Sequence, residues 1–345
     1  MKFDIRVHTP IVSASLITYN HAPYIRACIE GMLEQKTDFP YEICIGEDES
    51  TDGTREICIE YAEKYPDRIR LVQRSKLERG RERYKSLGVC NYIESARLCV
   101  GKYIALCDGD DFWIDPLKLQ KQFDIMEANP SISLVHSDYD MSDEISGRIT
   151  KKVNQSKPIN QVIADDLAIF RRDIILRKYS ISPCTAFMRT KDLLDIFDRN
   201  SELFQTLPMG DIPTWNELTN YGSFYYIDES MGTYRILPES DSNSRSAEKK
   251  YKFVNEASNL GVMVAEKYDI PMGRIRTNKI KHCNRYALLS GNVKEIRNLH
   301  AEPSYKFSFI ENCLYQINLN RFIRPVAKKV YELKYKLKSR TSNMH

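Results

Sequence analysis

The chain has 345 residues, 42% of them hydrophobic and 28% charged, which is more than one ordinary domain and a composition able to bury a core. A disordered or fibrous chain is excluded on that ground, and no apolar run reaches the length of a membrane-spanning helix. The net charge of +4 is uneven: 321–340 holds eight Lys/Arg against Glu332, a local +7, so the remainder carries 4 − 7 = −3 and a nucleic-acid partner is not expected.

Residues 1–10 hold no continuous apolar block of the signal-peptide kind, so the expected location is the cytoplasm. Nine cysteines without a C-x-x-C pair, several inside apolar runs such as YEICIGE and YIALCD, read as reduced core thiols. Six scattered histidines and no H-E-x-x-H give no zinc signature.

Up to about residue 140, short apolar runs alternate with helix-length segments, the pattern of βα units around a mainly parallel open sheet. Strands are expected at 11–17, 41–47, 69–73, 103–107 and 132–136, with helices at 22–35, 53–65, 87–100 and 116–128. Pro116 at a first helical position and Asn129-Pro130 after the last turn suit a start and a stop. From 150 to 245 the expectation is a helix at 163–178, a strand at 184–188, a helix at 211–221 and strands at 223–228 and 231–236. The polar stretch 238–246 reads as a loop, and helices follow it. In an open α/β sheet the ligand site lies at the carboxyl ends of the strands.

Polar clusters fall at three of those ends: Thr18-Tyr19-Asn20, Glu47-Asp48-Glu49-Ser50-Thr51-Asp52-Gly53-Thr54, and Asp108-Gly109-Asp110-Asp111. Three carboxylates in four residues repel one another unless a cation or donors neutralise them, and hard divalent ions take oxygen ligands and bridge to diphosphates. The competing reading of each cluster is an ordinary helix start, with Ser50 or Asp52 as a cap in the second. Asp48 has the chemistry to accept a uracil imide N–H, and Tyr19 to stack on a base.

These strings resemble the family 2 inverting glycosyltransferases, whose fold is the nucleotide-diphospho-sugar transferase (GT-A) type. The resemblance runs through Ser13 to Asn20, Ile45 to Thr54, Gly101 to Trp113 and Asp115 to Gln122, and returns at Gly210-Asp211-Ile212-Pro213-Thr214-Trp215 and Tyr234-Arg235. It implies a nucleotide-sugar donor, most often a UDP-sugar, read by Thr18, Tyr19, Asn20, Glu47 and Asp48. It further implies Asp108 on the ribose, Asp110 with Asp108 on Mn²⁺ or Mg²⁺ at the diphosphate, and Asp111 on the sugar. Asp211 would be the catalytic base for a glycan or lipid-linked acceptor in cell-surface polysaccharide synthesis; the plain reading of Asp211 is a helix N-cap.

The sequence departs from the family at one point. Relatives follow Tyr-Arg with a histidine two residues on that reaches the metal or diphosphate, and here Ile236-Leu237 follow, which leaves Arg235 or the loop at 238–246 for the phosphates. Arg81, Arg83 and Lys85 are further candidates for the phosphates, against the plain reading of a solvated basic loop. The expected layout is a GT-A domain over 1–245, its donor site in 10–140 and its acceptor side in 150–245, then a helical region over 246–345.

Within the tail, Phe322, Ile323, Val326, Val330, Leu333 and Leu337 form one apolar arc edged by lysines, a face suited to an anionic membrane surface at the inner leaflet, to the catalytic domain or to a second copy in a homo-oligomer. Two other functions compete. A non-catalytic sugar-nucleotide-binding protein that keeps the donor pocket is favoured only by the missing histidine. A sugar-phosphate nucleotidyltransferase is disfavoured, because Thr18-Tyr19-Asn20-His21-Ala22-Pro23 offers no Gly-rich basic loop. A dehydrogenase lacks its G-x-G-x-x-G.

Overall fold

The computed structural model describes residues 9–319, apart from 76, 79, 156–161, 164–166, 179, 239–245 and 303–304. The amphipathic tail 321–340 and most of the loop 238–246 therefore lie outside the described residues. Two compact units divide the chain, one ending at Ile236 and the next beginning at Leu237.

The first unit alternates strand and helix as its hydrophobic pattern dictates: β1 (Val12–Thr18), α1 (Ile25–Leu33), β2 (Tyr41–Glu47), α2 (Thr54–Lys64), β3 (Ile69–Gln73), α3 (Leu87–Leu98), β4 (Tyr103–Asp108), β5 (Phe112–Trp113) and α4 (Lys118–Ala128). It continues with β6 (Ile132–Asp143), β7 (Arg148–Thr150), β8 (Val162–Ile163), α5 (Leu167–Ile175), β9 (Phe187–Arg189), α6 (Thr190–Arg199), α7 (Ser201–Thr206), α8 (Asp211–Leu218) and β10 (Ser223–Ile236). The described strands form one sheet in the order β3-β2-β1-β4-β9-β6-β10-β5, with β7 beside β6 and β8 beside β10. Strands β3, β2, β1 and β4 run parallel, as do β6 and β10. The three-residue β9 joins the two blocks, antiparallel to both β4 and β6.

Side chains alternate across a strand, so each face of β1 has its own partner. Val12, Ala14 and Leu16 meet Ile25, Cys28, Ile29 and Met32 of α1, Cys58 and Tyr61 of α2, and Leu119 and Met126 of α4 in one buried core. The spacing of those four α1 residues is the stripe a core-facing helix needs. On the other face Ser13 and Ser15 are small and polar, and Ser13 Oγ donates to Glu42 Oε1 at 2.7 Å. There α3 comes so close to β2 that a Cβ on Gly46 would stand 1.9 Å from Ser95 Oγ, while Asn91 Nδ2 donates to Gly46 O at 2.8 Å.

Some sequence expectations need correction. The two strands expected at 223–228 and 231–236 are one, β10, because register shifts between Ile227 and Gly232 absorb the polar Asp228-Glu229 that resembles a turn. Strand β6 continues to Asp143, and its polar residues 136–138 and 140 are buried rather than marking an end. The strand expected at 184–188 is a 3₁₀ turn, Pro183–Thr185, followed by β9, and the amphipathic helices α6 and α7 were not anticipated.

The second unit is helical: α9 (Ala247–Lys267), α10 (Met272–Ser290), α11 (Val293–His300) and α12 (Phe309–Leu319). Its core contains Tyr251, Cys283, Ala287, Leu288, Ile296, Leu299 and Leu314. No helix among the described residues is long and apolar enough to cross a membrane.

Candidate active site

Parallel register brings the three polar clusters to one rim. Thr18 pairs with Glu47, and Ile17 pairs with Asp108, so β1, β2 and β4 end side by side. The turns that follow are laced together. Asn20, held at φ 53, donates its N–H to Ser50 Oγ and accepts from Thr51 N at its side-chain Oδ1, both at 2.9 Å. His21 N donates to Thr54 Oγ1 at 2.8 Å and Ala22 N to Asp52 Oδ2 at 3.0 Å. Asp52 Oδ1 also accepts from Thr54 N, but the N-cap of α2 is Gly53 at φ 100, so neither Ser50 nor Asp52 occupies the cap position.

On the β2 side the two acidic residues differ. Glu47 is fully buried, where its carboxylate pairs with Arg55 and accepts from Ser50 N at 2.7 Å, so it braces the turn. Asp48 is buried against Arg81, which donates to its Oδ1. Arg81 is thus not part of a solvated loop: with a 4% exposed side chain it is the countercharge inside the pocket. Burial raises the Asp48 pKa, Arg81 opposes that rise, and Glu47 adds to it.

The β4 turn is packed against β1. Gly109 N donates to Ile17 O at 2.9 Å, and a Cβ on Gly109 would lie 2.5 Å from Thr18 Oγ1 and 3.0 Å from His21 Nδ1, so only glycine lets the two turns touch. Asp108 is pushed up to about 8 by burial, by Asp110 and by Asp211. Asp111 is buried; its Oδ1 accepts from Arg235 N at 2.8 Å, and its Oδ2 has no hydrogen-bond partner among the described residues. Burial, with Asp110 and Asp108 beside it, holds its pKa well above the usual carboxylate range. Arg235 lies between the rings of Phe112 and Tyr24, 4.3 and 5.2 Å from their centroids, and donates to Asp110 O at 2.6 Å. It clamps the acidic turn from β10.

Asp211 comes from helix α8, between α7 and β10. It is the first residue of α8 and Gly210 is the N-cap, so the carboxylate does not occupy the cap position. A Cβ on Gly210 would stand 2.8 Å from Tyr92 Cδ1, which shows how closely the α8 start packs on α3. Asp211 Oδ1 is buried with no hydrogen-bond partner among the described residues, and desolvation raises its pKa while the nearby Arg177 charge lowers it. The Asp211 charge is among the causes that raise the Asp108 pKa, so the α8 start lies in the neighbourhood of the acidic turn.

The expected residues Thr18, Asn20, Glu47, Asp48, Asp108, Asp110, Asp111, Asp211 and Arg235 thus gather at one rim, with Tyr19 exposed beside them. Sequence reasoning passed over His21, although it directly follows the first motif, and weighed Arg81 for the phosphates or for a solvated loop rather than as the buried partner of Asp48. His21 has Nδ1 3.2 Å from Thr18 Oγ1 and Nε2 4.0 Å from Asp110 Oδ2; burial lowers its pKa, against the pull of Asp110 and Asp52. No three His, Cys, Asp or Glu side chains among the described residues converge on a metal-sized point.

Residues 13–194, a little over half of the chain, match the family described as glycosyl transferase family 2. An uncharacterised protein of Mycobacterium tuberculosis is 39% identical over 119 residues, 34% of this chain and 32% of that one, so the match spans about a third of the mycobacterial relative. A Bacillus subtilis protein, TuaG, whose name assigns it to teichuronic acid biosynthesis as a glycosyltransferase, is 28% identical over 71% of this chain and 87% of its own. Among solved structures, S. aureus TarS 1–349 in complex with UDP-GlcNAc superposes with a TM-score of 0.52 at 18% identity, over 89% of this chain and 78% of that one. The fold is therefore that of the GT-A glycosyltransferases, with the sheet flanked by helices.

Proposed function

The chain belongs to glycosyl transferase family 2, and on that premise we propose that it is an inverting glycosyltransferase moving a sugar from a UDP-sugar to a hydroxyl of a glycan or lipid-linked acceptor in cell-surface polysaccharide synthesis. One observation carries the reading: the buried Asp211 carboxylate, with an unpartnered oxygen, lies near enough to the Asp108-Gly109-Asp110 turn, where the parallel strands end, for its charge to raise the Asp108 pKa. The name of TuaG supports the polymer assignment.

In this reading Asp48, held in place by Arg81, accepts the imide N–H of uracil, and Tyr19 stacks on the ring beside Thr18. Asn20 and Glu47 brace the turns that hold them. Asp108 takes the ribose hydroxyls, Asp110 serves the diphosphate, and Asp111 and Arg235 fix the turn on which both sit, close to the sugar.

The acidic turn fits a divalent cation, Mn²⁺ or Mg²⁺: Asp108, Asp110 and Asp111 crowd together with Asp108 raised to about 8 and an orphaned oxygen on Asp111, the signs of negative charge in want of a counter-ion. Such an ion, when bound at Asp110, supplies charge neutralisation for the departing diphosphate. Asp211 removes the proton from the acceptor hydroxyl as its oxygen bonds to the anomeric carbon; the bond from that carbon to the diphosphate breaks on the opposite face, and the configuration inverts. Desolvation suits Asp211 to this work by raising its basicity above that of a free carboxylate.

The test is thermal unfolding with Mn²⁺ against UDP- and GDP-sugars, in which a donor at 100 times its dissociation constant adds about 2.7 kcal/mol. Stabilisation by UDP-sugars is expected, with an inverted anomer in the product by NMR. No shift with any nucleotide-sugar, or retention of configuration, refutes the reading.

A further inference from the structure

The family's metal-reaching histidine is missing, with Leu237 at its place, yet the acidic turn is not without an imidazole. His21 reaches it from the opposite side, out of the β1–α1 turn. Its backbone N–H is fixed by Thr54 Oγ1 at 2.8 Å, its Nδ1 lies 3.2 Å from Thr18 Oγ1, and its Nε2 points toward Asp110 Oδ2 at 4.0 Å. The acidic turn packs directly on the ring, since even a methyl group at Gly109 would come within 3.0 Å of Nδ1.

We propose that His21 Nε2 is a protein ligand, beside Asp110, to the divalent cation in the donor complex, filling from the β1–α1 turn the part that residue 237 cannot play. The inference rests on the metal-dependent donor reading above. Two donors about 2.2 Å from one ion stand roughly 3 Å apart when adjacent and roughly 4.4 Å apart when opposite. The observed 4.0 Å falls inside that span, so a small ring rotation suffices.

The arrangement has the orientation a ligating imidazole requires. In the tautomer whose Nδ1–H donates to Thr18 Oγ1, the Nε2 lone pair is left on the Asp110 side, and Thr18 gives the outer-shell support that metal-bound histidines use. Arg235 does not take the position, because its guanidinium is engaged by Asp110 O and lies 3.7 Å from Glu144 Oε1. Two protein ligands are enough where the substrate's diphosphate oxygens and water complete the shell.

Pulsed EPR of Mn²⁺ with UDP on the full chain carrying ¹⁵N-histidine reads the contact directly, without turnover and without a variant. A directly bound imidazole ¹⁵N coupling is expected in the wild type. It should vanish in His21→Gln, whose Mn²⁺ affinity with UDP present should fall on the order of 10-fold or more, the scale seen when a metal site loses support. Thr18→Val should keep the coupling but weaken the affinity. Mn²⁺·UDP bound to the wild type without a nitrogen coupling, or a coupling that survives in His21→Gln, overturns the His21 assignment alone. UDP that binds with no dependence on Mn²⁺ overturns the metal-dependent reading and this ligand together.

Discussion

Replacing Arg81 with Gln removes a countercharge from beneath a buried carboxylate, and the structure sets the scale of the loss. The side chains of Arg81 and Asp48 are 4% and 6% exposed, so Asp48 gains no solvent when its partner goes. Breaking a buried pair from one side costs about 3–5 kcal/mol. The escape is for Asp48 to become neutral, and holding a carboxyl of ordinary pKa near 3.9 protonated at pH 7 costs about 4 kcal/mol, so the loss lies at roughly 3–4. For a unit of this size that is a drop in Tm of roughly 6–16 °C. Arg26→Gln is the control: Arg26 and Glu60 are 47% and 56% exposed, and a solvent-screened pair so placed contributes little to stability.

The pH dependence follows from the direction of the Asp48 shift. Burial already raises its folded pKa and Arg81 restrains the rise, so the variant's folded pKa climbs further above the unfolded value. A group raised on folding contributes stability that is present below its unfolded pKa and lost as pH rises through the folded one. The Tm gap between wild type and Arg81→Gln should therefore widen from acid toward neutral pH. Calorimetry across pH 5–8 decides the matter: a gap no larger than that of Arg26→Gln, or one constant with pH, refutes the account of Arg81 as a buried countercharge.

Asp110→Ala should abolish metal-dependent donor binding with the Tm preserved, since relieving carboxylate repulsion opens no core cavity; full transferase activity in this variant and in EDTA would contradict it. Asp211→Asn should keep donor affinity and lose on the order of 10²-fold or more in turnover. The wild-type rate should fall as pH drops through a value above the ordinary carboxylate range, because desolvation raises Asp211; an acid limb at or below about 4 speaks against the base assignment. Truncation after Asn320 removes the local +7 and should abolish salt-sensitive pelleting with anionic vesicles, whereas equal pelleting of both forms sinks the membrane reading and a changed oligomer size favours self-association.

The parallel half of the sheet was legible because β1, β2 and β4 are short, mostly apolar runs bounded by polar turns, and parallel pairing then fixes which residues share a rim. Asp108, Asp110 and Asp48 were found for the same reason. Arg81 was not: it stands 33 residues from Asp48, and charge in a loop carries no local sign of burial. Strand β10 was misread where Asp228-Glu229 interrupts its alternation, because a bulge and a turn look alike in one dimension. Leu237 was read as a gap in the site, and the imidazole at position 21 becomes visible only once Gly109 brings two distant turns into contact.

The lacing of the β1–α1 turn to the β2–α2 turn bears on how a nucleotide is met. Four hydrogen bonds, from Asn20, Thr51, His21 and Ala22, tie two segments roughly 30 residues apart before any ligand arrives. Ordering a residue costs about 1–2 kcal/mol, so a pocket wall already fixed during folding leaves most of a base's contact energy to appear as affinity. On the proposed reading the base-facing wall then acts as a preformed mould, and the adjustment that follows binding falls to the groups the fold leaves unsatisfied: the orphaned oxygens of Asp111, in the β4–β5 turn, and Asp211, at the start of α8.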